Sequence, residues 1–238
     1  MRNLKKFLAL VLAMMMTLSL MVTVNAATSS ADLNLSDSNA VSPAFLEDIQ
    51  VLTGMEVIKG YPDGSFKPAT EINRHQMATF IYRMTTGDTG NLKDRYLSEI
   101  AAEKFPDVKA DDDYAGYIGY CWVNGFIAGF PDGTFRPMNK VTGYQALVMI
   151  LRGMGYNNPN DNFTGDDWQS LAMSRARMNN LLVKIDKSVY SGTFSRPAPR
   201  ELVAEIIIGP ESTQSLAILR DYLRDNGLAP LAENVSLS

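Results

Sequence analysis

Apolar residues recur with helical spacing in several separate stretches of the 238-residue chain. One stretch places Tyr114, Tyr117, Ile118, Cys121 and Trp122 at i, i+3, i+4, i+7 and i+8, which predicts an amphipathic helix with one wide apolar stripe. Similar stripes recur along the chain: Phe45, Ile49 and Leu52; Met77, Phe80, Ile81 and Met84; Ala146, Met149 and Ile150; Trp168, Leu171, Ala172 and Ala176; Val203, Ile206 and Ile207. The pattern predicts an all-α protein.

Two of these helices open with the same polar signature. Asn73-x-x-Gln76 and Thr142-x-x-Gln145 both have the form of a capping box, in which the first side chain accepts from a free helix N–H and the glutamine reaches back. We therefore expect helices to begin directly after Asn73 and Thr142.

The connection before each capping box is itself repeated. Gly-Tyr-Pro-Asp-Gly-Ser-Phe-Lys-Pro at 60–68 recurs 69 residues later, at 129–137, as Gly-Phe-Pro-Asp-Gly-Thr-Phe-Arg-Pro, with six of nine positions identical. Pro presets φ, Asp bonds its own backbone and Gly supplies a positive φ, so both segments are predicted turns. The Phe that follows each turn is expected to fill the core.

A third, weaker copy follows the first two. The first aromatic and the start of the second helix are 29 residues apart in copies one and two, at Phe45 to Arg74 and Tyr114 to Gly143. In copy three the spacing from Trp168 to Arg200 is 32 residues, and only residues 192–194 resemble the turn. Each unit is a helix-loop-helix that cannot bury its own stripe, so the copies must pack on one another.

These features divide the chain into six parts. Residues 1–26 have a positive n-region, an apolar run and a small residue at Ala26, as in a cleaved signal peptide; an uncleaved membrane anchor is the alternative. The other expected parts are repeat 1 at 43–86, a linker or helix at 87–104, repeat 2 at 105–156, degenerate repeat 3 at 163–209, and a C-terminal helix and tail at 210–238.

Charge and cysteine content narrow the classes of partner. The chain has 22 basic and 26 acidic residues, and removal of three n-region cations would leave a net charge near −7. An acidic exported protein is a poor nucleic-acid binder, and after signal cleavage we expect no membrane partner. The one cysteine, Cys121, lies on an apolar stripe and cannot form an internal disulfide, so it is expected to be buried.

The repeated motifs resemble those of the S-layer homology domain. That family combines an Asp-Val start, a helix with an aromatic residue, a Gly-Tyr-Pro-Asp-Gly-Thr-Phe-Arg-Pro loop and a Thr-Arg-Ala-Glu start to the second helix. Here Asp107-Val108 provides the start in copy two, whereas copy one is expected to lack it. The resemblance extends over about residues 43–209. It implies three repeats with pseudo-threefold symmetry, secretion, and attachment to the cell wall or an S-layer.

The resemblance also implies a ligand and a set of site residues. Grooves between repeats bind secondary cell-wall polymers, which often carry a ketal-pyruvate, and the motif arginine contacts the ligand. Arg74 and Arg200 match that arginine, while Gly143 replaces it in copy two. A guanidinium at a helix N-terminus suits a carboxylate. The alternative is that both arginines are exposed and merely solvated.

Four further residues are candidates for the groove. Lys67 and Arg136 follow the loop Phe and could frame a groove, although their stems could instead fold over the loop. Gly60 and Gly129 could admit a ligand close to the backbone, although a turn requirement also explains them. The expected partner is secondary cell-wall polymer or a peptidoglycan-linked glycan, and no cofactor is expected.

Three other functions remain as alternatives. An enzyme is disfavoured, because the one histidine, His75, and the buried Cys121 offer no nucleophile–base arrangement. Metal binding is also disfavoured: Asp111–Asp113 has the composition of a solvated run, and the alternating Asn158, Asn160 and Asn162 lack the glycine of a calcium loop. A structural or protein-binding surface module that has lost its polymer ligand stays open.

Overall fold

The computed structural model describes residues 35–46, 49, 52–53, 56–156, 163–179, 181–185 and 190–208. Within these ranges the regular structure is α-helical, apart from a short 3-10 turn and isolated β-bridges. The helices are α1 (Arg74–Thr86), α2 (Arg95–Lys104), α3 (Ala115–Val123), α4 (Gly143–Gly153), α5 (Trp168–Met178), α6 (Tyr190–Phe194) and α7 (Arg200–Ile208). The all-α prediction is confirmed. The expected signal peptide, the asparagines at 158, 160 and 162, and the tail at 210–238 lie outside the described residues.

Helices α1 and α4 begin where the capping boxes predicted. At α4, the Gln145 side chain accepts from the Thr142 N–H at 3.1 Å and the Thr142 hydroxyl accepts from the Gln145 N–H at 3.3 Å. At α1, the Gln76 side chain accepts from the Asn73 N–H at 2.9 Å. Gly87 ends α1 in the left-handed region with φ 76°, a conformation that glycine adopts without strain.

Helix α3 carries the stripe that the sequence predicted. Tyr117, Ile118 and Cys121 are buried in the core, and Tyr114 and Trp122 pack against it from its edge. The Cys121 thiol donates to the carbonyl oxygen of Ala78 on α1 at 3.3 Å, and burial raises the pKa of this thiol. Cys121 therefore acts as a small core residue between two helices.

Helix α2 lies within the stretch predicted as a linker or helix, and it packs on α3 at unusually short range. A Cβ atom added at Gly119 on α3 would overlap the carbonyl oxygen of Leu97 on α2. A side chain at position 119 would therefore push the two helices apart. No helix in the described ranges is long and apolar enough to cross a membrane.

One continuous apolar core connects the helices and the loops between them. The Phe that follows each repeated turn is fully buried, as predicted: Phe66 after the first turn and Phe135 after the second. Phe194, at the end of α6 in the third segment (residues 163–208), is equally buried. The loops are therefore part of the core and hold the helices in position.

Candidate functional site

The two repeated loops fold alike at the level of single hydrogen bonds. In the first, the Tyr61 N–H donates to the Ser65 carbonyl at 2.8 Å, and in the second the Phe130 N–H donates to the Thr134 carbonyl at 2.8 Å. Each turn Asp accepts from the residue two positions on, as at Asp132, whose carboxylate accepts from the Thr134 N–H at 3.0 Å. The two motifs thus encode the same turn.

Each loop is held in place by an aspartate that lies earlier in the chain. The Asp107 carboxylate accepts from the Phe135 N–H at 2.8 Å and from the Arg136 N–H at 2.6 Å. Asp37 does the same for the first loop, accepting from the N–H groups of Phe66 and Lys67, both at 2.8 Å. Copy one lacks the Asp-Val pair, as predicted, since Ser38 follows Asp37, but it does have an aspartate equivalent to Asp107. Asp37 lies one residue earlier than the 69-residue offset from Asp107 places it.

Lys67 and Arg136 fold back over their own loops. Both have positive φ, 56° and 58°, in the left-handed region. The Arg136 guanidinium pairs with Asp132 at 2.6 Å and lies 4.1 Å from the centre of the Phe130 ring. The Lys67 amine lies 4.0 Å from the Tyr61 ring centre. Both cations are thus engaged within the loops.

The two candidate glycines lie at points of close packing. A Cβ at Gly129 would come within 2.6 Å of the Phe105 ring and 3.0 Å of the Thr134 carbonyl oxygen. At Gly60 the nearest atom would be the Ser65 carbonyl oxygen, at 3.3 Å. Internal packing therefore accounts for glycine at 129 and favours it at 60.

Arg74, the first residue of α1, contacts the second loop, at 129–137. Only 6% of the residue is exposed. Its Nε donates to the Phe135 carbonyl at 2.7 Å and its Nη2 to the Ala128 carbonyl at 2.8 Å. The guanidinium carbon also lies 4.7 Å from the Phe130 ring centre and 4.6 Å from that of Phe135. Arg74 therefore joins two segments.

Arg200, the first residue of α7, makes the equivalent contacts with the first loop, at 60–68. It is 4% exposed, and it connects the third segment to the first loop. Its Nε donates to the Phe66 carbonyl at 2.8 Å and its Nη2 to the Lys59 carbonyl at 3.0 Å. Its guanidinium lies 5.1 Å from the Tyr61 ring centre and 4.7 Å from that of Phe66. The alternative that Arg74 and Arg200 are solvated surface residues does not hold.

Gly143 occupies the position equivalent to Arg74 and Arg200, and a side chain does not fit there. Gly143 begins α4 where Arg74 begins α1, and its N–H donates to the Arg196 carbonyl at 3.1 Å. A Cβ at this glycine would come within 2.8 Å of the Phe194 Cα and 3.1 Å of its ring. Phe194 therefore lies against the backbone at the point where an arginine side chain would begin.

Three backbone hydrogen bonds join the segments in a closed ring. The Ile72 N–H donates to the Ala198 carbonyl at 3.0 Å, the Ala198 N–H to the Val141 carbonyl at 2.8 Å, and the Val141 N–H to the Ile72 carbonyl at 3.0 Å. Each residue lies just before α1, α7 or α4. The N-termini of these three helices are therefore fixed relative to one another.

A pocket of about 240 Å³ opens beside Arg200. We call it the Arg200 pocket; it is lined by Lys59, Tyr61, His75, Gln76, Thr79, Phe80, Arg83 and Arg200. The first loop and one face of α1 form its walls, while α7 contributes the arginine. His75 stacks on Tyr114, with ring centres 4.7 Å apart.

The Arg200 pocket carries more positive than negative charge. In the part of the chain that the structure describes, no carboxylate forms an ion pair with Arg83 or Arg200, and Lys59 pairs at 3.2 Å with the partly exposed Glu56. Arg83 is 8% exposed, and its Nε has no hydrogen-bond partner. Burial lowers the pKa of Arg200 and of His75. An anion in this pocket would compensate buried positive charge.

The six predicted site residues therefore have different positions in the structure. Arg200 lines the pocket, Arg74 makes the equivalent contacts in the next segment, and the other four build the loops. Sequence reasoning missed Lys59 and Arg83. Arg83 is about two and a half helical turns after the start of α1 and follows an apolar stripe, so its position in the sequence is that of an ordinary exposed cation.

Comparison with known proteins identifies the repeats. The family model of the S-layer homology domain matches residues 34–78 and 104–147. Two separate segments of the chain are therefore similar to the S-layer homology domain. The first match begins before Asp37, in agreement with the contact of that residue with the first loop. No solved structure matches the chain.

Several curated proteins match parts of the chain. A cell surface protein of Thermoanaerobacter kivui is 28% identical over 196 residues, which is 82% of this chain and 24% of that protein. A surface layer protein of Brevibacillus choshinensis is 29% identical over 113 residues, 48% of this chain and 10% of the relative. A cellulosome-anchoring protein of Acetivibrio thermocellus is 30% identical over 113 residues, 44% of this chain and 23% of the relative.

The chain spans less than a quarter of the length of each of these three relatives. The domain matches and the names of the relatives support a secreted protein associated with the cell wall or an S-layer.

Proposed function

We propose that this chain attaches non-covalently to the bacterial cell envelope by binding an anionic secondary cell-wall polymer, or a glycan linked to peptidoglycan, and that it is not an enzyme. The observation that carries the proposal is the Arg200 pocket, which is lined by three cations in a chain with two segments that match the S-layer homology domain. A carboxylate such as that of a ketal-pyruvate suits this pocket, because guanidinium groups bind carboxylates with charge-assisted hydrogen bonds.

Residues 163–209 are, in this proposal, a third and degenerate repeat, and the three repeats pack with pseudo-threefold symmetry. Two observations support it. Arg200 contacts the first loop through the same two atoms that Arg74 uses on the second loop. The closed ring of Ile72, Val141 and Ala198 joins the three segments head to tail. Arg74 then faces a second groove, beside a loop that Gly129 and Arg136 help to build as Gly60 and Lys67 do in the first loop.

Sedimentation with cell-wall sacculi tests the attachment. The chain is mixed with sacculi of a Gram-positive bacterium and centrifuged, and a parallel sample of sacculi is first extracted with hydrofluoric acid to remove secondary polymer. We expect the protein to sediment with intact sacculi and to stay in solution with extracted ones. Sedimentation that survives extraction would assign binding to peptidoglycan instead, and no sedimentation with either sample would refute the proposal.

A second candidate function rests on the closed position at Gly143. Because Phe194 fills the place of an arginine there, one of the three equivalent positions has lost its cation. A structural or protein-binding surface module that has lost its polymer ligand would account for this loss. Recovery of a specific protein partner, together with no sedimentation, would favour this function.

A further inference from the structure

The cations of the Arg200 pocket are not reproduced in the next segment. Shifted by 69 residues, Lys59 corresponds to Ala128, whereas Arg83 corresponds to Arg152. The second groove therefore has an arginine on its helix but no amine on its loop.

Polar lining is lost along with the amine. Thr79 corresponds to Val148, and His75 corresponds to Tyr144. At the third position Gly143 offers no cation from the helix start. The groove that begins at Arg200 thus has more charge and polarity than the one that begins at Arg74, and the helix start at Gly143 supplies no cation.

Arg83 is the unusual member of the Arg200 pocket. Its residue is more than nine-tenths buried and its Nε lacks a hydrogen-bond partner. Glu56 and Asp88 interact electrostatically with Arg83, but no carboxylate among the described residues lies at ion-pair distance from it. The guanidinium of Arg200, by contrast, has two carbonyl partners. Leaving a buried guanidinium nitrogen unpaired is costly, and a bound anion would lower that cost by compensating the charge.

The volume of the pocket limits what can enter it. About 240 Å³ is less than the roughly 300 Å³ at which drug-sized pockets begin, so the space suits one substituted sugar rather than an oligosaccharide. Tyr61 and Phe80 supply apolar wall, while Gln76 and Thr79 supply hydrogen-bonding groups for hydroxyls.

Accordingly, and resting on the function proposed above, we propose that, within the part of the chain that the structure describes, the Arg200 pocket is the one tight site for an anionic sugar residue, and that Arg83 and Lys59 make the negative charge a requirement. Arg200 holds the pocket together through its carbonyl contacts. Arg83 and Lys59 supply the charge that distinguishes an acidic sugar from a neutral one of the same size.

Titration calorimetry on the full chain tests this with three probes: a methyl hexopyranoside carrying a 4,6-ketal of pyruvate, a hexose 6-phosphate, and the neutral methyl hexopyranoside. We expect one tight site for an anionic probe and no binding of the neutral one. Comparison of the two anionic probes tells whether the site prefers carboxylate or phosphate. Two equally tight sites, equal binding of the neutral sugar, or no binding of any probe at about 10 mM would overturn the inference.

Variants of the chain separate the roles of the cations. Arg83→Gln should raise the Kd of the anionic probe about 10- to 100-fold, and Lys59→Ala, which installs the residue of the second copy, about 3- to 10-fold. Arg152→Gln is the matched control in the same helical register and should change the Kd less than about twofold. Lys59 is partly exposed, so its variant tests the idea even if Arg83→Gln fails to fold.

The two proposals fail in different ways. If the wild-type chain sediments with sacculi while Lys59→Ala and Arg83→Gln bind the probe as the wild type does, attachment stands and the assignment of the pocket cations is wrong. Equal losses in Arg83→Gln and Arg152→Gln would likewise remove the distinction between the two grooves. If the wild-type chain sediments with no sacculi at all, attachment itself is wrong.

Discussion

The contact between Arg74 and the second loop can be tested through stability. Arg74→Ala removes two hydrogen bonds to backbone carbonyls, at 2.7 and 2.8 Å, and empties the space between the Phe130 and Phe135 rings. Hydrogen bonds from charged groups contribute about 1.5–3 kcal/mol each, so the two bonds together contribute about 3–6 kcal/mol. The cation–π contacts add about 1 kcal/mol or more in a desolvated place.

The cost of burying the charge offsets part of this gain. Desolvation lowers the pKa of Arg74 from 12.5 to about 10, and at about 1.4 kcal/mol per pH unit the charge costs about 3 kcal/mol to hold there. Alanine relieves that cost but leaves a cavity and two carbonyls without their donor. We therefore expect Arg74→Ala to lower the free energy of unfolding by about 2–4 kcal/mol.

Urea denaturation followed by circular dichroism measures this change. The matched control is Arg95→Ala, because Arg95 pairs with Glu99 at 2.7 Å but its side chain is 91% exposed. We expect this control to change stability by less than about 0.5 kcal/mol, since exposed ion pairs contribute little. Arg74→Lys should recover only part of the loss, because one ammonium group cannot reproduce the planar fork. A loss below about 0.5 kcal/mol in Arg74→Ala would refute the structural role of this arginine.

Three further predictions follow from the same contacts. Phe135→Ala should lower the free energy of unfolding by about 3–5 kcal/mol in urea denaturation, whereas Met138→Ala, at a residue 59% exposed, should lower it by less than about 0.5 kcal/mol. Asp107→Asn should lower it by about 1.5–3 kcal/mol in the same assay, because one oxygen that accepts from Phe135 or Arg136 becomes an NH₂ donor. Burial lowers the pKa of His75 below 6.5, whereas a bound anion favours the protonated imidazole. The affinity for the anionic probe, measured by calorimetry, should therefore rise as the pH falls from 8 to 5. This rise should vanish in His75→Gln. Without ligand the sign is opposite: the neutral His75 contributes stability above about pH 6.5 that is lost as the pH falls.

The sequence predicted the helices well because local signals and periodicity agreed. The capping boxes at Asn73 and Thr142 set two helix starts, and the stripe from Tyr114 to Trp122 matched the buried face of α3. The repeated turns were equally predictable, since Pro-Asp-Gly restricts the backbone in both copies. Such features depend on residues within a few positions of one another, which is the range over which sequence patterns act.

The sequence did not show which cations lie between segments. Arg74 at a helix start is indistinguishable by pattern from a solvated arginine, and its burial results from carbonyl groups 54 and 61 residues further along the chain. Asp37 was missed for a similar reason, because a one-residue change in spacing hid its equivalence to Asp107. Such contacts depend on how separate segments pack, and no local signal encodes that.

The position of an arginine in a repeat motif does not by itself identify a ligand contact. Arg74 and Arg200 each donate two hydrogen bonds to carbonyl groups of a neighbouring loop. The loss of either arginine therefore weakens the contact between its helix and that loop, as well as any groove beside it. A binding defect in Arg200→Ala could therefore come from a loosened interface, and only a residue that lines the pocket without joining segments can separate the two causes. Lys59 meets this condition, because it lines the pocket and its amine pairs with Glu56, while only its backbone carbonyl accepts from Arg200. The charge of Lys59 can be removed while the interface stays intact, so the response of binding to that single change decides whether the pocket recognises an anion.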